Sequence, residues 1–336
     1  MAIKRGVSLY SLQEDYYLGK LNLEGCIAKT ALEIGAEGIE VLPDQMPLPS
    51  FRSPDKVISD RDLDTWFGWM DQYHTVPTAY GANFFTTMYS NRHLTVRETV
   101  YETKKDLKAA AQLGFSVYRT GIIRREDIPV LSQCFSLAED LGIQIATEIH
   151  APRGIHTWWT QDFLEEILRT GTRAAGFVMD FGIFTRGMSL ASRHRYLRQG
   201  AKAEILDAID QAYRAGAALS DAEIQAMGGG KVELDAGKKL RGSIHDDPRW
   251  IHEILPYTKH CHGKFYEMTE DCVEPAIDYE GPMQVLREAG WNGYISSEYE
   301  GQREYFDMGC DNYVDPVEQC RRHHVMLRRL TGECEA

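Results

Sequence analysis

Paired cysteines are the first thing missing. The seven cysteines are scattered, none forms a Cys-x-x-Cys pair, and an odd number argues against a disulfide framework. Long hydrophobic runs are missing too. None approaches the length that crosses a bilayer, and the opening MAIKRGVSLYSL has no extended apolar stretch ending in a small-residue cleavage site. Positive charge is scarce: 37 Lys and Arg stand against 50 Asp and Glu, for a net charge of −13. Such a chain repels nucleic acid and anionic membranes unless a local basic patch opposes it. The strongest basic cluster, RRHHVMLRR, is interleaved with Val325, Met326, Leu327 and Leu330 and reads as a C-terminal amphipathic helix. The expectation is a cytoplasmic protein without nucleic-acid or membrane partners.

Two phosphate-binding signatures are also absent. No Gly-x-Gly-x-x-Gly follows the first strand candidate, which speaks against a doubly wound dinucleotide fold. Gly228, Gly229 and Gly230 precede Lys231, but Val232 stands where a phosphate loop needs Ser or Thr.

What is present is a repeated word: a helical stretch, a glycine just past its end, then a short apolar run that finishes in polar residues. It occurs as ALEIGAEGIEV, LKAAAQLGFSVYRTG, LAEDLGIQIATEIH, ILRTGTRAAGFVMDFG and LREAGWNGYISSEYE. Glycine supplies the left-handed turn that stops a helix, and the run after it suits a buried parallel strand. Eight strand candidates emerge: GVSLY, GIEV, VPTAYG, SVYRT, QIATE, GFVMD, KHCHGKF and GYISSE. Eight strands alternating with helices predict an α/β fold closed into a (β/α)8 TIM barrel, with chemistry at the C-terminal strand ends. The expected organisation is a single barrel over 1–336, interrupted by a helical excursion at 186–246 and ending in a helical extension at 304–336. LSDAE at 219–223 reads as a helix start within that excursion, which is either surface decoration or a lid or partner-binding element.

Within QIATEIH, side chains two apart share a face, so Gln144, Ala146, Glu148 and His150 form one row. If the barrel closes, other strand ends converge on the same space. The sixth strand brings Asp180, the seventh brings His260, His262 and Lys264, and the eighth brings Glu298. Three carboxylates and an imidazole at one place repel without a cation. Glu148, Asp180, His262 and Glu298 form an oxygen-rich set with one nitrogen. That set suits one six-coordinate divalent ion per chain, Mn²⁺ first and Mg²⁺ or Co²⁺ as alternatives, better than structural zinc.

This order of residues resembles the xylose-isomerase-like barrels, a group of sugar isomerases, ketose epimerases, inosose dehydratases and apurinic endonucleases. The resemblance runs from GVSLYSL through Gly38–Glu40 to YISSE, and it implies one divalent metal on the four residues just named. Several epimerases carry a His three residues after the metal-binding Asp, where this chain has Ile183. A closer resemblance is to the α subunits of bacterial C-glycoside deglycosidases, carried by GVSLYSLQEDYYLGKLNLEGCI, GIEVLPDQM, the excursion after strand six, SSEYEGQR and EQCRRHHVMLRRLTGE. It implies cleavage of a 3-oxo sugar joined through carbon to an aromatic aglycone, alongside a small β subunit. A homo-oligomer is a further expectation. The alternative activity is a ketose 3-epimerase or an aldose-ketose isomerase.

Under that resemblance the reaction is proton removal next to a sugar carbonyl followed by elimination. His150 is the candidate base, or else it orients Glu148. Lys264 either polarises a substrate oxygen or pairs with a metal carboxylate. Glu40 either binds sugar hydroxyls or closes a salt bridge at the barrel end. Glu300 and Arg303 are loop candidates for ligand contact, followed by Tyr10, Asn83 and His156. Trp158, Trp159, Phe84 and Phe85 offer flat walls for an aglycone or are plain packing. His245, His323 and His324 read as structural or surface residues.

Overall fold

Gly142 (φ 69°) and Gly171 (φ 67°) take the left-handed conformation just past the helices Phe135–Leu141 and Trp158–Thr170. Each hands the chain on to a buried strand within a few residues. The computed structural model, which describes residues 3–82, 91–311 and 314–333, repeats this unit around a closed ring. Its strands are β1 Lys4–Ser8, β2 Gly38–Val41, β3 Val76–Gly81, β4 Val117–Thr120, β5 Gln144–Ile149, β6 Ala175–Asp180, β7 Thr258–Phe265 and β8 Tyr294–Tyr299. All eight pairings are parallel, and β1 closes the barrel against β8. The fold is thus a (β/α)8 TIM barrel. Asn83, Phe84 and Phe85 lie outside the described residues.

The first strand starts two residues earlier than GVSLY and stops at Ser8. Leu9–Leu12 then tighten into a 3-10 turn with Leu9 and Leu12 fully buried. This turn carries Tyr10 over the C-terminal end of the barrel.

Inside the barrel, Ala79, Val117, Ala146 and Val178 form a small apolar cluster. The main core lies between the strands and the surrounding helices, with Trp66, Phe163, Phe177 and Leu327 among its fully buried members. Between β6 and β7 the chain leaves the barrel through helices Leu190–Arg198, Ala203–Arg214, Asp221–Ala226 and Lys231–Arg241. They share their own apolar cluster, built on Met188, Tyr196, Ile205, Leu206, Ile209, Ile224, Ala236 and Leu240. Ser220 caps the third of them, with Glu223 bonding back to its N–H at 2.7 Å.

The first helix of this group is tied to the loop after β8. Arg195 pairs with Glu304 at 3.1 Å and Arg198 with Asp307 at 2.9 Å. Helix Pro316–Thr331 then closes the barrel flank. Its His323 and His324 face inward and are fully buried. His323 bridges the Ser297 hydroxyl (2.7 Å) and the Tyr279 hydroxyl (2.8 Å). No helix among the described residues is long and apolar enough to cross a membrane.

Candidate metal centre

Register decides what meets at the barrel mouth. Asp180 lies beside His262 and Lys264 beside Glu298 across the paired strands, while Glu148 stands one step past Thr147 on β5 with its side chain inward. One ligand atom from each of Glu148, Asp180, His262 and Glu298 falls within 4.8 Å of all the others. His262 is the hub. Its Nδ1 lies 2.8 Å from Glu148 Oε1 and 3.3 Å from Glu298 Oε1, and its Nε2 lies 2.9 Å from Glu40 Oε2. Asp180 uses Oδ1 to accept the Gly182 N–H (2.6 Å) and Oδ2 to accept from Lys264 Nζ (2.9 Å). A Cβ on Gly182 would stand 2.7 Å from Lys264 Cδ, so this close approach needs glycine.

Five carboxylates, Glu40, Glu148, Asp180, Glu298 and Glu300, gather around two fixed cations. Arg119 of β4 donates to Glu148 Oε2 at 2.8 Å and places Nε 3.2 Å from Glu40 Oε1. Lys264 lies 2.9 Å from Asp180, 3.4 Å from Glu300 and 3.6 Å from Glu298. Burial drives the Asp180 pKa up to about 6; Lys264 opposes that rise, and Glu298 and Glu148 add to it. Burial also works against an ionised Glu148, but Arg119 and His262 overcome it and hold the carboxyl well below its usual range. For His262, burial favours the neutral ring, yet Glu298, Glu40 and Glu148 outweigh it and hold the pKa well above that of a free imidazole.

The chemistry of this donor set fits a divalent cation. Glu298 Oε2 is buried without a hydrogen-bond donor, an acceptor of the kind a cation satisfies. His262 Nδ1 faces the carboxylates, and on giving up its proton, with Nε2–H donated to Glu40, it would turn a lone pair towards a cation held among them. A second group, Glu40, His260 and His262, is equally close-knit. Its carboxylate already faces Arg119, and His260 Nε2 bonds Ser296 Oγ at 2.9 Å, so its charge is matched without an ion. The buried cluster of Glu148, Asp180, His262 and Glu298 is consistent with a divalent metal site.

His150 stands half-buried just past β5, near Glu148 and Asp180. Its Nδ1 lies 2.7 Å from the Ala151 carbonyl oxygen. A carbonyl only accepts, so Nδ1 carries a proton, and in the neutral ring the lone pair is on Nε2. Glu40 is fully buried among Arg119, His260 and His262. Glu300 bridges Lys264 and Arg303, and the Arg303 guanidinium lies 5.2 Å from the Tyr10 ring centroid. His156 is directed elsewhere: it bonds Glu253 at 2.9 Å and packs at a tilt against Trp250, away from the cluster. His245 bonds the Thr185 carbonyl. Ile183, three after Asp180, is buried in the core.

The family model for the xylose isomerase-like TIM barrel matches residues 28–328. The chain belongs to that family. Two relatives match over most of their length. The chain is 27% identical to the 3'-dehydrocarminate deglycosidase alpha subunit of a Microbacterium species, over 98% of this chain and 96% of that protein. It is 29% identical to the C-glycoside deglycosidase alpha subunit of Microbacterium trichothecenolyticum, over 88% and 83%. Among solved structures, a D-psicose 3-epimerase covers 98% of this chain and 100% of its own with a TM-score of 0.58 at 13% identity. A D-allulose 3-epimerase from a Methylomonas species gives 0.57 at 11% identity, over 98% of each chain. At such identity these structures show the shared barrel fold.

Arg119 of this xylose isomerase-like barrel escapes sequence reasoning. Nothing in VYRT marks it, yet its guanidinium is buried between Glu40 and Glu148. A usable signal was its place near the end of a short strand, paired on β3 with Gly81, where a Cβ would collide with the guanidinium, and on β5 with Ala146 of the barrel interior.

Proposed function

We propose that this chain is a divalent-metal-dependent carbohydrate enzyme that removes a proton next to a sugar carbonyl, and specifically the α subunit of a C-glycoside deglycosidase. The observation that carries this reading is the match to deglycosidase alpha subunits over most of their length, combined with an imidazole lone pair held beside a carboxylate cluster. Held by Glu148, Asp180, His262 and Glu298, a divalent ion such as Mn²⁺ supplies Lewis acidity where negative charge grows on the sugar oxygens.

The substrate is a sugar with a ketone at position 3, joined through carbon at position 1 to an aromatic aglycone. His150 Nε2 takes the acidified proton from position 2, and the C–H electrons move into the enolate of the ketone. The bond from position 1 to the aglycone then breaks, its electron pair leaves with the aromatic carbon, and that carbon takes up a proton. The products are an unsaturated keto sugar and the free aglycone, with no net oxidation. A well-placed general base is worth about 10²–10⁴-fold. Lys264 holds Asp180 in place and, with Glu300, sets the charge at the mouth. A second, smaller subunit works beside this one, in keeping with relatives that are themselves alpha subunits.

Epimerisation of a ketose is the second reading, favoured by Glu148 and Glu298 converging on the same cluster, where they would serve as two bases. An assay in D₂O with Mn²⁺ separates the two. Common ketoses and a 3-oxo-C-glucoside are supplied, with and without the small subunit of a relative, and products are read by chromatography and proton NMR. Release of aglycone supports the lyase. Deuterium entering a ketose, with the C-glucoside intact, makes the enzyme an epimerase or isomerase.

A further inference from the structure

Arg153 stands three residues past His150 and bonds back to it, its N–H donating to the His150 carbonyl at 2.8 Å. Its guanidinium reaches across the mouth towards β4: Nη1 lies 3.4 Å from where a Cβ on Gly121 would be. It also covers the indole of Trp159, with Cζ 5.7 Å from the ring centroid. Trp159 stacks on Trp158 at 4.5 Å and 24°, and Arg125 caps the far side at 4.8 Å. The two arginines at the ends of this stack differ. Arg125 pairs with Asp162 at 2.6 Å. Arg153 is half-buried, and among the described residues no carboxylate stands within ion-pair distance of it, although Glu148 and Asp127 are near enough to act on its charge. Beside it, the Trp159 Nε1 donor is buried without an acceptor. A half-buried cation without a counter-ion, on a flat apolar surface at the rim of a cluster of carboxylates, is a site that lacks its anion.

We infer that Arg153, backed by Trp159, is a specificity-determining residue that binds an anionic group, carboxylate or phenolate, on the aromatic aglycone. The inference rests on the lyase reading for the position of the aglycone. The edge of the indole stack, with the unsatisfied Trp159 Nε1 donor, gives an aromatic ligand an apolar border beside the guanidinium. Arginine suits this task because its fork donates to two oxygens while its face remains on an aromatic ring.

The test is calorimetric titration of the Mn²⁺-loaded chain with 2-naphthoate and with the neutral naphthalene-2-carboxamide. A parallel titration with 4-nitrophenol, above and below its own ionisation, distinguishes phenolate from carboxylate. Wild type is expected to bind the charged form of at least one pair tenfold or more tightly than the neutral form. Arg153→Gln should erase the preference and Arg153→Lys should keep part of it, with bound manganese and the circular dichroism spectrum unchanged in both. A preference that persists in Arg153→Gln would place the anion on the metal or elsewhere and overturn the inference, as would a wild type that favours neither charged form. Turnover is scored separately with a 3-oxo-C-glucoside whose aglycone is uncharged. Aglycone release without anion preference defeats the role of Arg153 alone, whereas absence of release defeats the lyase reading.

Discussion

Two layers inside the barrel meet on β5 and β6, where they stand two residues, about 6–7 Å, apart along the strand, and they differ in nearly every physical respect. The lower layer is Ala79, Val117, Ala146 and Val178, small, apolar and in mutual contact. The upper layer is Glu148, Asp180, His262 and Glu298, with Glu40, Arg119 and Lys264 around them. Ala146 and Glu148 share β5, as Val178 and Asp180 share β6. The lower layer gains free energy by excluding water. The upper layer concentrates like charges whose repulsion stability alone would not favour, and this repulsion becomes useful only when a cation joins it. A barrel thus separates folding from chemistry by position along a strand.

The largest expected effect comes from breaking the upper layer. Glu298→Gln should reduce bound Mn²⁺ to background by mass spectrometry and lower kcat/KM by more than about 10³-fold. It should also abolish the thermal stabilisation that the metal confers on wild type, about 2.7 kcal/mol at a metal concentration a hundred times Kd. Full metal occupancy in this variant would remove Glu298 from the ligand set. The lower layer should respond in the opposite sense. Ala146→Leu overfills the barrel axis and should cost about 1–3 kcal/mol in urea unfolding while the metal content per folded chain is retained. Between the two stands Glu40, fully buried yet not one of the four donors. Glu40→Gln should weaken Mn²⁺ binding about 10–100-fold, because the carboxylate sets the tautomer of His262, and should also destabilise the metal-free chain in urea by about 3–5 kcal/mol, because it leaves the buried Arg119 short of a partner. An unchanged affinity would leave Glu40 with the salt bridge to Arg119 alone.

Much of this division was legible in the sequence. Helix, glycine and strand recur along the chain, and period-two alternation within QIATEIH puts Ala146 and Glu148 on one face. The family suggested by the strand-end residues is the one to which the chain belongs. The end of β1 was less legible, because Val7 and Leu9 flank Ser8 in an alternation that a strand could continue and nothing local marks where Leu9 leaves the ladder for a 3-10 turn. Arg119 was hidden for a different reason. Its role depends on two carboxylates from other strands, and a lone arginine in a strand carries no record of them. The sequence likewise does not show that His156 turns to Glu253, since that contact joins residues 97 positions apart.

The buried histidines carry the comparison to its smallest expected effect. His262 and His324 are both fully buried, yet three carboxylates hold the first charged in the metal-free chain, while the second has none against it. Burial, reinforced by Arg5 and Arg328, lowers the His324 pKa from 6.5 to about 3, against a weak pull upward from the Gly6 carbonyl. A depressed pKa means that the unfolded chain takes up a proton the folded chain refuses. The contribution of His324 is therefore intact above about pH 6.5 and is lost progressively as the pH falls from there towards 3. At about pH 5.5 the loss should be about 1.4 kcal/mol relative to pH 7.5. Replacing the imidazole by an amide, His324→Gln, should flatten that part of the profile by the same amount in urea unfolding of the metal-free protein. An equally steep profile in the variant would shift the effect to His323, whose pKa burial also holds well below that of a free imidazole. Either result bears on the same point: neighbouring charge, and not depth of burial, decides which imidazole of this barrel holds a proton.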